Sequence, residues 1–149
     1  MSPSDTDSST FVTPAPLLRL ALGLDAGVSA GAALLHLAGG ATLAAALAWP
    51  AAAVWASGVF MAGYAVLLAW LTRRRSLAAV WVRSIVVGNI AWSLGCAALA
   101  VAGALGIAGW GGLWLALLGA GPAGFALLQA LGLRRSLPPV AGHQAVAAT

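Results

Sequence analysis

The sequence predicts an all-α integral membrane protein, an antiparallel bundle of four transmembrane helices. Three observations carry this. Of the 149 residues 62% are hydrophobic and only 7% are charged, too little charge to cover a soluble domain of that size. Apolar runs over about 17–39, 51–71, 79–105 and 110–133 can each cross a hydrocarbon core of about 30 Å, at about 1.5 Å per helical residue. All seven basic residues are arginines, at 19, 73, 74, 75, 83, 134 and 135, and they sit at or near the ends of those runs. A mean hydropathy of +0.98 fits the same class.

Residues 1–16 are polar and Pro-rich with two acids, Asp5 and Asp7, and read as a flexible tail. A cleaved signal peptide is the competing reading. The acids and the length of the following apolar run, beyond an h-region of about 7–15 residues, favour a retained first helix. The second span is entered through Trp49-Pro50, with the proline suited to a first helical turn. Trp49, Trp70, Trp81, Trp110 and Trp114 fall near span ends, as an interfacial aromatic belt requires, whereas Trp55 and Trp92 lie deeper and read as packing residues. The connection 72–78 holds Arg73–Arg75, while 40–50 and 106–109 hold no charge. The positive-inside rule then places both termini and the middle connection in the cytoplasm. Residues 136–149 read as a second flexible tail around the 17–135 transmembrane domain.

The first span, Leu17–Gly40, carries Asp25, Ser29 and His36 inside an apolar run. At about 100° per residue these three share one stripe, and Gly23, Gly27 and Gly31 line the opposite side at G-xxx-G-xxx-G spacing. Such glycines read as close helix-packing positions within the bundle or between copies. Asp25 lies about 12 Å from the start of the span, where an ionisable side chain costs about 3 kcal/mol or more and faces a bundle interior.

The other spans supply polar residues at similar depth. Counted from the arginine ends, Asn89 lies about 15 Å in, Tyr64 about 10 Å and Gln129 about 6 Å, with Arg83 and Ser93 nearby on the third span. Asp25, Ser29, Tyr64, Arg83, Asn89, Ser93 and Gln129 therefore form the candidate intramembrane polar site. Asp25 is either a hydrogen-bonded clamp, with Asn89, Tyr64 or Arg83 as partner, or a proton or cation site. The first and third spans share [DN]-xxx-S-x-G, from Asp25 and Asn89. The second and fourth share a Gly-aromatic pair (Gly63-Tyr64, Gly124-Phe125) followed by Arg-Arg and Ser-Leu. A duplicated helical hairpin, a parallel repeat about the membrane normal, accounts for this; chance in an Ala/Leu-rich chain is the alternative.

Several chemistries are excluded. There is no HExxH, CxxC, Gly-rich phosphate loop or carboxylate pair, so neither catalysis nor a metal or cofactor is expected. His36, the only histidine within a span, reads as an interfacial polar residue, and Cys96 as a small packing residue. The scattered arginines argue against nucleic acid.

Asp25-Ala26 followed by Ser29 and Gly31, Asn89-xx-Trp92-xx-Gly95 and the late Gln129 resemble small, uncharacterised four-helix membrane proteins of bacteria over about Leu17–Arg135. The resemblance implies an inner-membrane location and supplies no activity. In outline the chain also resembles the small multidrug-resistance transporters. It departs from them in having aspartate where that family has glutamate, and in the residues around it. The leading expectation is a non-catalytic scaffold or accessory subunit, oligomeric or in a larger membrane complex; the alternative is a small proton- or cation-coupled transporter centred on Asp25.

Overall fold

The structure is a computed structural model and describes residues 11–102 and 109–137. In chain order the elements are β1 (Phe11–Val12), α1 (Pro16–Ala38), α2 (Gly40–Leu47), α3 (Ala51–Thr72), β2 (Leu77–Ala78), α4 (Ala79–Ala102) and α5 (Trp110–Ser136). Helices α1, α3, α4 and α5 are long and apolar enough to cross a membrane, and the chain is a multi-pass membrane protein. The four predicted spans are thus present. Residues 103–108, which include the predicted end of the third span, lie outside the described residues.

The packing follows narrow seams. On α3 the buried residues Val54, Gly58, Met61, Ala65 and Leu68 recur at i+3 and i+4, one stripe of a 3.6-residue helix. Large apolar side chains such as Leu34, Val66, Val87 and Leu127 face outward, which in a bilayer places them in lipid. Because lipid tails are as apolar as leucine, burial does not drive these helices together; van der Waals contact and interhelical hydrogen bonds do. The most extensive contacts are α1 with α3 and α4 with α5, and α1 with α5 joins the two hairpins. Two apolar layers result. One, at the arginine end, holds Leu18, Leu22, Leu68, Leu71, Val82 and Leu133. The other, at the opposite end, holds Leu47, Trp49, Val54, Cys96 and Leu115.

Both hairpins close on a glycine at the same place. A Cβ on Gly58 would lie 2.8 Å from His36 Cβ, and one on Gly119 would lie 3.1 Å from Cys96 Cβ. Gly58 precedes Gly63 by the same number of residues as Gly119 precedes Gly124, but His36 and Cys96 stand one helical turn apart in the register of Asp25 and Asn89, so only the glycines follow the sequence repeat.

Four differences from the sequence reading have physical causes. The uncharged connection 40–50 contains a helix, α2, built from good helix formers. It ends at Ala48, whose left-handed φ of 55° lets its N–H reach Ala44 and Ala45. Gly40 begins it against the Trp55 ring, leaving no room for a Cβ. Second, the segment read as tail is fixed from Phe11. β1 pairs antiparallel with β2, and Ala15 N donates to Ser136 Oγ at 2.9 Å. Residues 1–10 and 138–149, the rest of the predicted tails, lie outside the described residues. Third, Gly23, Gly27 and Gly31 are exposed, and a Cβ on any of them would meet nothing within 4 Å. They make no close contact among the described residues, because the stripe opposite Asp25 is the stripe facing away from the bundle. Fourth, His36 is fully buried rather than interfacial.

Candidate functional site

Between the two apolar layers Asp25 meets side chains from all three of the other long helices. Gln129 Nε2 donates to Asp25 Oδ2 at 2.7 Å, Asn89 Nδ2 donates to the same oxygen at 2.9 Å, and Tyr64 Oη lies 3.1 Å from it. Ser29 Oγ, one turn along α1, donates to Oδ1 at 3.3 Å. Asn89 Nδ2 also donates to Gln129 Oε1 at 3.2 Å, and Tyr64 Oη lies 2.9 Å from Asn89 Oδ1. Asp25, Asn89 and Gln129 are each at most 4% exposed. At that depth water cannot replace a lost partner, and each helix answers another's unmet hydrogen bond.

Tyr64 has one hydroxyl hydrogen and two acceptors in reach. An ionised Asp25 takes that hydrogen. A protonated Asp25 gives its own hydrogen to the phenol oxygen and frees Tyr64 to donate to Asn89. The cluster therefore accommodates both states by turning one hydroxyl.

Five of the seven predicted residues meet here: Asp25, Ser29, Tyr64, Asn89 and Gln129. Arg83 does not. It is exposed, because at about 100° per residue it stands about 120° around α4 from Asn89, at a suitable depth but on another face. It is not Asp25's partner. Ser93 lies one turn beyond Asn89 and donates to backbone instead, 2.8 Å from Asn89 O and 2.7 Å from Gly119 O.

Ser93 belongs to a second arrangement that the sequence reading missed. Pro122 lies inside α5 and has no N–H, which removes the intrahelical donor for the Leu118 carbonyl. Trp92 Nε1 donates to Leu118 O at 3.1 Å, and Ser93 serves the neighbouring Gly119 carbonyl. A mid-span proline was legible as a helix with a backbone acceptor to satisfy, and Trp92 as its donor was not.

Beside the carboxylate lies a chamber of about 130 Å³, whose walls include Asp25, Ser29, Phe60, Trp92, Pro122 and Phe125. Phe60 stacks on Trp92 with ring centroids 5.1 Å apart and on Tyr64 at 6.3 Å, a column of rings joining α3 to α4. For scale, an engineered cavity of about 150 Å³ holds one benzene.

His36 stands apart from the cluster. Its Nδ1 lies 2.7 Å from the Ala32 carbonyl, which can only accept, so Nδ1 carries the hydrogen. Trp114 Nε1 donates to Nε2 at 3.4 Å. Both ring nitrogens are therefore engaged, Nδ1 within α1 and Nε2 in packing α1 against α5. Cys96 is buried against Gly119, as a packing residue.

No protein-family model, curated protein or solved structure matches the chain. What it does is therefore argued from its own residues.

Proposed function

We propose that the chain is a non-catalytic scaffold or accessory subunit of a membrane complex, its four long helices keyed together at Asp25. The observation that carries this reading is the convergence of Tyr64, Asn89 and Gln129, one from each other long helix, on a single carboxylate oxygen. Such a set of mutually satisfied groups fixes the relative rotation of all four helices, which a rigid subunit requires. The exposed stripe of Gly23, Gly27 and Gly31 offers a flat face for a second copy or a partner helix, in keeping with an oligomer or larger complex.

The proposed setting is a bacterial inner membrane with both termini in the cytoplasm. The orientation is supported by the gathering of arginines at one end, where Arg19 Nη1 donates to Thr72 O beside Arg73–Arg75, and the bacterial setting rests on the sequence resemblance alone. A reporter fused after Arg135 should read as cytoplasmic, and one inserted at Gly109 as external. The reverse pattern would overturn the orientation.

The chamber favours a second reading, a small proton- or cation-coupled transporter, because it brings Asp25 and Ser29 to a space that a ligand can occupy. Proteoliposomes under a pH gradient separate the two. The scaffold reading expects no flux above empty liposomes from the wild type, together with a stable companion on pull-down from native membranes. Wild-type flux that vanishes in a well-folded Asp25→Asn variant would replace it with the transporter, since an amide cannot exchange a proton.

A further inference from the structure

We propose that the recess formed by Phe11, Trp70, Trp81 and Arg73–Arg75 binds the headgroup of an anionic phospholipid. The argument begins with charge. All seven arginines of the chain lie toward one end of the bundle, while Asp25 is the only side-chain carboxylate among the described residues. It is 2% exposed and engaged with Ser29, Tyr64, Asn89 and Gln129. The arginine end thus carries a positive charge that no described side chain neutralises, and an anion must come from elsewhere.

That charge is given shape by the strand pair. Phe11 pairs with Ala78 and Val12 with Leu77. This sets Phe11 across from Arg73–Arg75 and walls an open recess of about 680 Å³, which also takes in Trp70 and Trp81. The guanidinium carbon of Arg74 lies 4.1 Å from the centre of the Trp70 ring, a cation–π contact that orders this arginine at the rim. Arg73 and Arg75 are exposed, and their planar forks suit bidentate contact with a phosphate.

The lining selects the source of the phosphate. Trp70 and Trp81 are about half exposed, at 47% and 50%, and stand where α3 ends and α4 begins, the level at which headgroups meet acyl chains. A phosphodiester in the recess can direct its acyl chains past these indoles along the apolar outer faces of α3 and α4. A dissolved anion would use the arginines alone and leave the aromatic wall without a role.

The test uses the full chain in mixed micelles, titrated with phosphatidylglycerol, phosphatidylcholine or inorganic phosphate, with bound lipid read by native mass spectrometry. Phosphatidylglycerol should be retained at least about tenfold over phosphatidylcholine, and Arg73→Gln with Arg75→Gln should remove about that factor. Arg134→Gln with Arg135→Gln makes the same charge change at the same end but outside the recess, and should cost less than about twofold. Phe11→Ala changes no charge at an exposed position, so the fold survives, and retention should fall about threefold. Equal losses from the two arginine pairs, or no loss in Phe11→Ala, would reduce the recess to a diffuse basic field and overturn the site. Displacement of the lipid by equimolar inorganic phosphate would reassign it to a free anion. Deleting residues 2–10 removes Asp5 and Asp7, the chain's other acids, and should leave retention unchanged. A gain of about fivefold or more on that deletion would assign the recess to the acidic segment instead.

Discussion

Asp25→Leu should destabilise the bundle by about 2–4 kcal/mol, while Asp25→Asn should cost less than about 1 kcal/mol. Leucine is close in size but accepts nothing. Gln129 Nε2 then loses its acceptor, Asn89 Nδ2 keeps only Gln129, and Tyr64 keeps only Asn89. Each stranded donor in the bundle interior costs about 1–3 kcal/mol, moderated because helices separated within a membrane also find partners. Asparagine fits the same site in a specific way. Its carbonyl oxygen takes the place of Oδ2, where the three partners converge, and its amide nitrogen takes the place of Oδ1, donating to Ser29 Oγ in reversal of the present bond. Thermal denaturation of the two variants in one detergent measures the difference. Equal melting temperatures would show that the convergence on Asp25 does not hold the helices together.

Much of this site could be read from the sequence, because depth in a membrane helix is a matter of counting. Asp25, Tyr64, Asn89 and Gln129 fall in one slab when each span is measured from its arginine end, and the structure joins all four. Azimuth is harder. On α1 the stripe of Asp25, Ser29 and His36 is self-evident, because a charged group cannot face lipid. Arg83 can, with a long side chain near a helix end, so its depth misled. The glycines misled for a related reason. A G-xxx-G-xxx-G series looks like a contact seam, yet the close approaches between the long helices are made by Gly58, Gly119 and Gly132, which stand in no such series. Each is explained only by what lies across from it: His36, Cys96 and Leu18. The α2 helix and the two-residue strand pair went unread, the first because the Gly39-Gly40 and Pro50 that bound it also suit a plain loop between spans, the second because a pair so short has no periodicity. The chamber and the Trp92–Leu118 bond were hidden because both arise from how helices are set against one another, all four long ones for the chamber and α4 with α5 for the bond.

The second large effect belongs to Gly132. Replacing it with alanine should cost about 2–3 kcal/mol, the upper part of the usual range for overpacking. The added Cβ would stand 2.7 Å from Leu18 Cα and 2.8 Å from Leu18 N. These are backbone atoms, which cannot turn aside as a side chain would, so α5 must move away from α1. That contact is the most extensive one between the two hairpins, and it lies one helical turn from Gln129. A shift there also lengthens the 2.7 Å bond from Gln129 to Asp25, so the losses are coupled. Gly27→Ala is the matched control. A Cβ at that position meets nothing within 4 Å, and the single chain should be unchanged or more stable by up to about 1 kcal/mol, the helix-propensity gain of alanine over glycine. Any loss from Gly27→Ala should show in the oligomer distribution, where an outward glycine face would be used. A Gly132→Ala protein as stable as wild type would mean that α1 and α5 do not approach so closely in the folded chain. The junction of the two hairpins would then rest on Asp25 and its partners, the Phe60–Trp92 stack and the His36–Trp114 contact.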